Sequence, residues 1–149
     1  MNNLEEIRDD VIRNGFSELM DEDIQVEYKS LDDALFEYGG LTEEGFYIEV
    51  DESLKEAPRD VMEGGLAHDL SHILTDKNLS MGLRLRDRLA YRVSKRYKTL
   101  DERNTDLQVI IRGYGRQLLA FLIYSEEQGF PYYKGDGLSI REVSAILNK

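Results

Sequence analysis

The chain holds two histidines, and they stand four residues apart, at His68 and His72. On an α-helix four residues sweep about 400°, which sets the two rings about 40° apart on one face and one turn up. Two imidazole nitrogens so placed can reach one metal ion at about 2.0–2.1 Å. A second four-residue pair, Glu102 and Asp106, repeats the geometry further along. One carboxylate of that pair could complete a two-histidine site and leave a fourth position for water, and the other could accept the ring N–H of a ligand histidine and fix its tautomer. Alone the acidic pair carries little weight among 30 Asp and Glu residues, because helix starts favour acids for their own reasons. The plain alternative is a pair of solvent-facing histidines on an ordinary helix. Gly64 and Gly65 count against it. Each costs about 1 kcal/mol relative to alanine in a helix interior, a cost that makes sense where another backbone or a ligand must come close.

The elements that must position these residues follow from periodicity. Leu4, Ile7, Val11 and Leu19 recur at helical spacing, so the first twenty residues read as an amphipathic helix. Ile24, Val26 and Tyr28, then Ala34, Phe36 and Tyr38, then Phe46, Ile48 and Val50 alternate with polar residues and predict three short strands, the second and third joined as a hairpin across Gly39-Gly40 and Gly45. Pro58 opens a helix that runs to about Thr75, with Met62, Leu66, Leu70, Ile73 and Leu74 facing the core and the histidines nearly opposite. Residues 80–98 read as a helix. A long helix follows from about Asp101 to Gln128, ended by Gly129 and Pro131. Ser139 with Glu142 is a capping-box signature for a last short helix carrying Val143, Ile146 and Leu147. The expectation is one α+β domain over residues 1–149.

The segment Phe46 to Leu74, FYIEVDESLKEAPRDVMEGGLAHDLSHIL, with the later Glu102 and Asp106, resembles the zincin metallopeptidases of the gluzincin type. Their helix motif HExxH stands here as His68-Asp69-Leu70-Ser71-His72, and their downstream ExxxD as Glu102 to Asp106. The resemblance covers roughly residues 46–122. It implies a small zincin-like fold with a three-stranded sheet packed on the active-site helix, and one Zn²⁺ per chain held by His68, His72 and Glu102. Asp106 would then orient a ligand histidine. Asp69 would be the general base for a metal-bound water attacking a peptide bond, and a peptide or protein substrate would lie along the strand at Ile48–Val50 by β-augmentation. Position 69 is aspartate where the family has glutamate, one methylene shorter, which draws the carboxylate back by about 1.5 Å. The alternative is therefore a catalytically weak or inactive metal-binding module that acts in protein binding or regulation.

Composition bounds the rest. A chain of 149 residues, 41% hydrophobic, can bury a core unaided. With no cysteine there is no disulfide framework, thiolate metal site or cysteine nucleophile. Both histidines are taken, which leaves none for a serine triad or for the further ligands that the His68-Asp69 dipeptide would need in an HD-type phosphohydrolase. A net charge of −11 argues against nucleic-acid or anionic-membrane binding as the main task. No apolar run approaches the ~20 residues of a membrane span, and the opening MNNLEEIRDD lacks the basic and apolar regions of a signal peptide, so a cytoplasmic protein is expected. Leu83 to Lys98 carries seven Arg/Lys against one Asp, read as a helix that neutralises surrounding carboxylates, with an anionic partner as the other reading. Tyr132 and Tyr133 are read as half-buried surface residues.

Overall fold

The computed structural model describes residues 1–40, 45–130 and 136–149. It is an α+β fold. Helix α1 (Leu4–Gly15) starts where the Asn3 side chain accepts from the Glu6 N–H and buries Leu4, Ile7, Val11 and Ile12. It stops short of residue 20 because Phe16 leaves helical geometry to bury its ring, and a separate 3₁₀ turn, Ser17–Leu19, carries Leu19 into the core. Strands β1 (Ile24–Lys29), β2 (Phe36–Gly39) and β3 (Phe46–Asp51) form one sheet in the order β1-β3-β2, with β1 parallel and β2 antiparallel to β3. The hairpin of the second and third strands is therefore observed. The central position of β3 is not what the substrate expectation requires. Ile48 pairs with Val26 on one side and Tyr38 on the other, and Val50 with Tyr28 and Phe36, so both edges at Ile48–Val50 are occupied and no peptide can add there. The strand at the sheet's edge on the histidine side is β2.

Helix α2 (Arg59–Lys77) begins after Pro58 and runs through the core rather than along its surface. The expected division into a core stripe and an outward histidine face gives way to burial nearly all round, because the sheet, α1 and three later helix segments surround it. Gly64 makes one of these approaches possible. A Cβ there would lie 2.1 Å from the main-chain oxygen of Gln117. Gly65 gives up its side chain to the Phe36 ring in the same way.

The expected helix over residues 80–98 is two elements, α3 (Met81–Val93) and the start of α4 (Lys95–Val109), divided at Ser94. Ser94 is extended, at φ −124° and ψ 110°, and its hydroxyl accepts from the Tyr97 N–H at 3.1 Å, so one serine ends one helix and caps the next. The expected long helix is likewise broken. After α4 comes a wide turn over Ile110–Tyr114 in which Gly113 has φ 95°, a left-handed conformation natural to glycine. Then α5 (Gly115–Glu127) resumes and packs on α2. Helix α6 (Ile140–Leu147) carries the expected capping box, Ser139 with Glu142.

Helix α3 is turned in an unusual sense. Arg84, Arg88 and Tyr91 reach inward, whereas Leu85, Leu89 and Val93 are 57%, 61% and 75% exposed. Two of its arginines meet oxygens of the body: Arg88 pairs with Asp76 at 3.2 Å, and Arg84 donates to the carbonyls of Asp76 and Gly40. Among the described residues no helix is long and apolar enough to cross a membrane.

Candidate metal centre

The four residues that the spacing singled out come together. His68 and His72 project from α2 toward α4, which presents Glu102 and Asp106 one turn apart. The His68 Nε2 lies 3.1 Å from Glu102 Oε2, and the His72 Nε2 lies 3.2 Å from Glu102 Oε1. A ligand atom from each of these three residues falls within 4.8 Å of the others. Ligands at about 2.0–2.1 Å in a tetrahedral shell stand about 3.3 Å from one another, so the three side chains are near enough to share one ion after modest shifts, and they also pair with one another as they stand.

The other ring nitrogens decide whether that spacing is useful. His68 Nδ1–H donates to Asp106 Oδ1 at 2.8 Å. Asp106 Oδ2 accepts from the main-chain N–H of Leu138 at 2.9 Å, so this buried carboxylate is filled on both oxygens. The His72 Nδ1 lies 3.5 Å from Thr105 Oγ1 and 3.7 Å from Asp101 Oδ2. The Thr105 hydroxyl donates to the Asp101 carbonyl at 2.8 Å, so toward His72 it acts as an acceptor. In both histidines the Nδ1 side is turned to an acceptor and the Nε2 side to the shared carboxylate. That is how ligand imidazoles are oriented.

Aromatic residues complete the setting. Tyr38 of β2 stacks on His72 with ring centroids 4.9 Å apart and planes within 8°. Tyr91 of α3 donates its hydroxyl to Glu102 Oε1 at 2.7 Å. A cleft of about 470 Å³ opens beside the histidines, walled by β2, α2, α3 and α4, with Asp69 on its lining.

The charges follow from burial and pairing. Burial alone would disfavour a charged His68, but hydrogen bonds to Asp106 and Glu102 override it and raise its pKa well above the ordinary histidine value. Glu102 shows the converse: burial opposes its charge, and the hydrogen bonds to His68 and His72 still hold its carboxyl well below the usual range. Burial pushes Asp69 up to about 6, partly offset by the nearby histidines. Its Oδ2 is buried and, among the described residues, has no hydrogen-bond partner. The donor set, two imidazoles and a carboxylate with buttressed outer nitrogens, suits Zn²⁺.

Sequence reasoning missed Tyr38, Tyr91, Asp101, Thr105 and the Leu138 N–H. Tyr38 was within reach, since strand alternation puts it on one face with Phe36. Tyr91 was not, because its approach to Glu102 depends on the chain reversal at Ser94. Tyr132 and Tyr133 lie outside the described residues. Comparison with known proteins gives no matching family model, no matching curated protein and no matching solved structure. The site therefore stands on its own geometry.

Proposed function

We propose that this chain is a zinc-dependent hydrolase of the metallopeptidase type. The observation that carries the reading is the convergence of both Nε2 atoms on the Glu102 carboxylate while each Nδ1 faces an acceptor. His68, His72 and Glu102 would hold the ion. Bound there, zinc would supply Lewis acidity to a carbonyl oxygen and lower the pKa of water. Asp106 accepts the His68 Nδ1–H and so aims Nε2, once its proton is displaced, at the ion. Tyr91 holds Oε1 of Glu102 and so limits the rotation of that carboxylate. Asp69, one residue from His68 and on the cleft lining, accepts a proton from the attacking water and passes it to the leaving amine. An extended peptide would lie in the cleft alongside β2, since both edges of β3 are occupied.

A specific observation favours a second reading. Asp69 is only 2% exposed, and its shorter side chain reaches less far into the cleft than a glutamate would. A metal-binding module that holds a partner without cleaving it would show the same ligands.

Elemental analysis of protein purified without chelator or nickel tests the metal. About one zinc per chain, lost in His68→Ala, is the expected result, and no metal even after zinc is offered would sink both readings. Turnover of an unstructured peptide then separates them. The hydrolase retains or gains rate in Asp69→Glu and loses it in Asp69→Ala. No turnover in wild type or in Asp69→Glu leaves the binding module.

A further inference from the structure

The carboxylate that orients His68 is itself oriented, from the far end of the chain. Asp106 Oδ2 takes the main-chain N–H of Leu138 at 2.9 Å. This contact is sequestered: Asp106 and Leu138 are each 2% exposed. Leu138 directly precedes the capping residue of α6. The capping box fixes the local backbone there, since Ser139 Oγ accepts from the Glu142 N–H at 3.1 Å and Glu142 Oε1 accepts from the Ser139 N–H at 3.2 Å.

The same glutamate is gripped by α4. Arg103 donates to Glu142 through both terminal nitrogens, at 3.0 and 2.6 Å. Lys98 meets Asp136 at 3.4 Å, and Val143 of α6 is fully buried. Residues 98, 103 and 106 of α4 thus hold residues 136, 142 and 138 of the terminal segment, and α4 is the helix that carries Glu102. One connected path runs from Arg103 through Glu142 and the start of α6 to Leu138, Asp106 and the His68 ring.

We infer that the C-terminal segment Asp136–Leu147 is a latch on the metal centre, with the Leu138 N–H as a positioning group that sets how tightly the ion is held. The inference rests on the metal reading above and concerns the regulation of that site. The physical ground is the count of acceptors. His68 Nδ1–H and Leu138 N–H are both donors, and a carboxylate has an oxygen for each. With the latch docked, Asp106 is pinned in the rotamer that aims His68 Nε2 at the ion. With it undocked, Asp106 loses that constraint, and partners of this kind are worth roughly 10–100-fold in metal affinity. Coupling is reciprocal, so an ion that binds more tightly to the latched form must also hold the latch shut. Anything that competes for α6 would then loosen the metal, and metal loading would order the terminal segment.

Asp106→Asn separates the two halves of the path with almost no change in volume. An amide offers one acceptor oxygen where two donors need one each, so it can serve His68 or Leu138 but not both, while His68, His72 and Glu102 remain as ligands. The experiment is hydrogen–deuterium exchange of the full chain, with and without one equivalent of Zn²⁺, read at the Leu138 amide and across α6. The amides of α1 report global stabilisation. In the wild type, zinc should slow exchange at Leu138 and α6 by about 10-fold more than at α1. In Asp106→Asn, at zinc concentrations that saturate it, the excess should disappear. The reciprocal measurement is zinc affinity by competition with a chromogenic chelator, which should fall by about the same factor in Leu138→Pro, where the N–H is gone. Should that variant not fold, the exchange comparison alone decides. Zinc that binds the wild type and leaves α6 no better protected than α1 overturns the latch and spares the metal reading, and so does an undiminished excess in Asp106→Asn. Absence of zinc binding in the wild type overturns both.

Discussion

At the residue scale, the position of His68 sets what a metal ion bound as proposed would have to displace. Both of its ring nitrogens face carboxylate oxygens, Asp106 Oδ1 at 2.8 Å and Glu102 Oε2 at 3.1 Å. Ionised carboxylates only accept, so the metal-free ring satisfies both contacts as the imidazolium, in accord with a pKa raised well above the ordinary value. A metal needs the Nε2 lone pair and must displace that proton. The sign follows. Below the raised pKa the proton competes, so zinc affinity climbs with pH, at about tenfold per unit for one proton released. Competition titrations at pH 6, 7 and 8 check this, and an affinity that does not move with pH would contradict it. The same titrations in Asp106→Asn should show weaker binding by roughly 10–100-fold.

At the element scale, local chemistry and tertiary packing each decide different features of the fold. The capping box at Ser139 and Glu142, the hairpin of β2 and β3, and the helix opening at Pro58 were legible because local chemistry fixes each of them. The meeting of His68 and His72 with Glu102 and Asp106 was legible because a four-residue spacing means one helix face wherever the helix lies. The breaks at Ser94 and Gly113 were not, because apolar periodicity continues across them and only tertiary packing selects the turn. The face of α2 was misjudged for a related reason. A helix buried all round has no polar face for periodicity to find. Gly64 shows what such burial demands. In a free helix Gly64→Ala would stabilise by about 1 kcal/mol. Here the new Cβ would stand 2.1 Å from the Gln117 carbonyl oxygen, which belongs to the backbone of α5 and cannot rotate away. Overpacking of this kind costs about 1–3 kcal/mol, and the clash is with main chain, so the upper part of that range should win. Gly64→Ala is expected to lower the thermal midpoint by several degrees, as measured by circular dichroism, and a raised midpoint would show that α2 and α5 can separate freely.

At the scale of the whole molecule, the ionisations combine into a stability profile that the metal should reshape. In the metal-free chain Asp69 titrates near 6 because of burial, and His68 holds its proton above its ordinary pKa. Both groups therefore bind protons more strongly folded than unfolded through the interval from about pH 5 to 8. Stability falls as pH rises wherever the folded state binds the extra protons, so the metal-free protein should melt higher at pH 5 than at pH 8. Acid limits this from the other side. The Arg112 hydrogen bonds hold Glu18 down to about 2, and those of Arg103 do the same for Glu142. Their depressed pKa values contribute stability above about 4.3, the unfolded value, which is lost as pH falls toward 2. Both carboxylates are half exposed, so each contribution is modest and screened by salt. A maximum between about pH 4.5 and 6 results. Zinc bound as proposed would take the place of the proton at His68 Nε2 and remove that group's proton preference for the folded state, so that His68 would bind the proton more strongly in the unfolded chain. Thermal melts in chelator and in excess zinc, each at pH 5 and pH 8, should then show the advantage of pH 5 narrow or invert when zinc is present. An identical pH dependence in the two series would mean that zinc does not take the proton's place on His68, the step on which the whole metal centre depends.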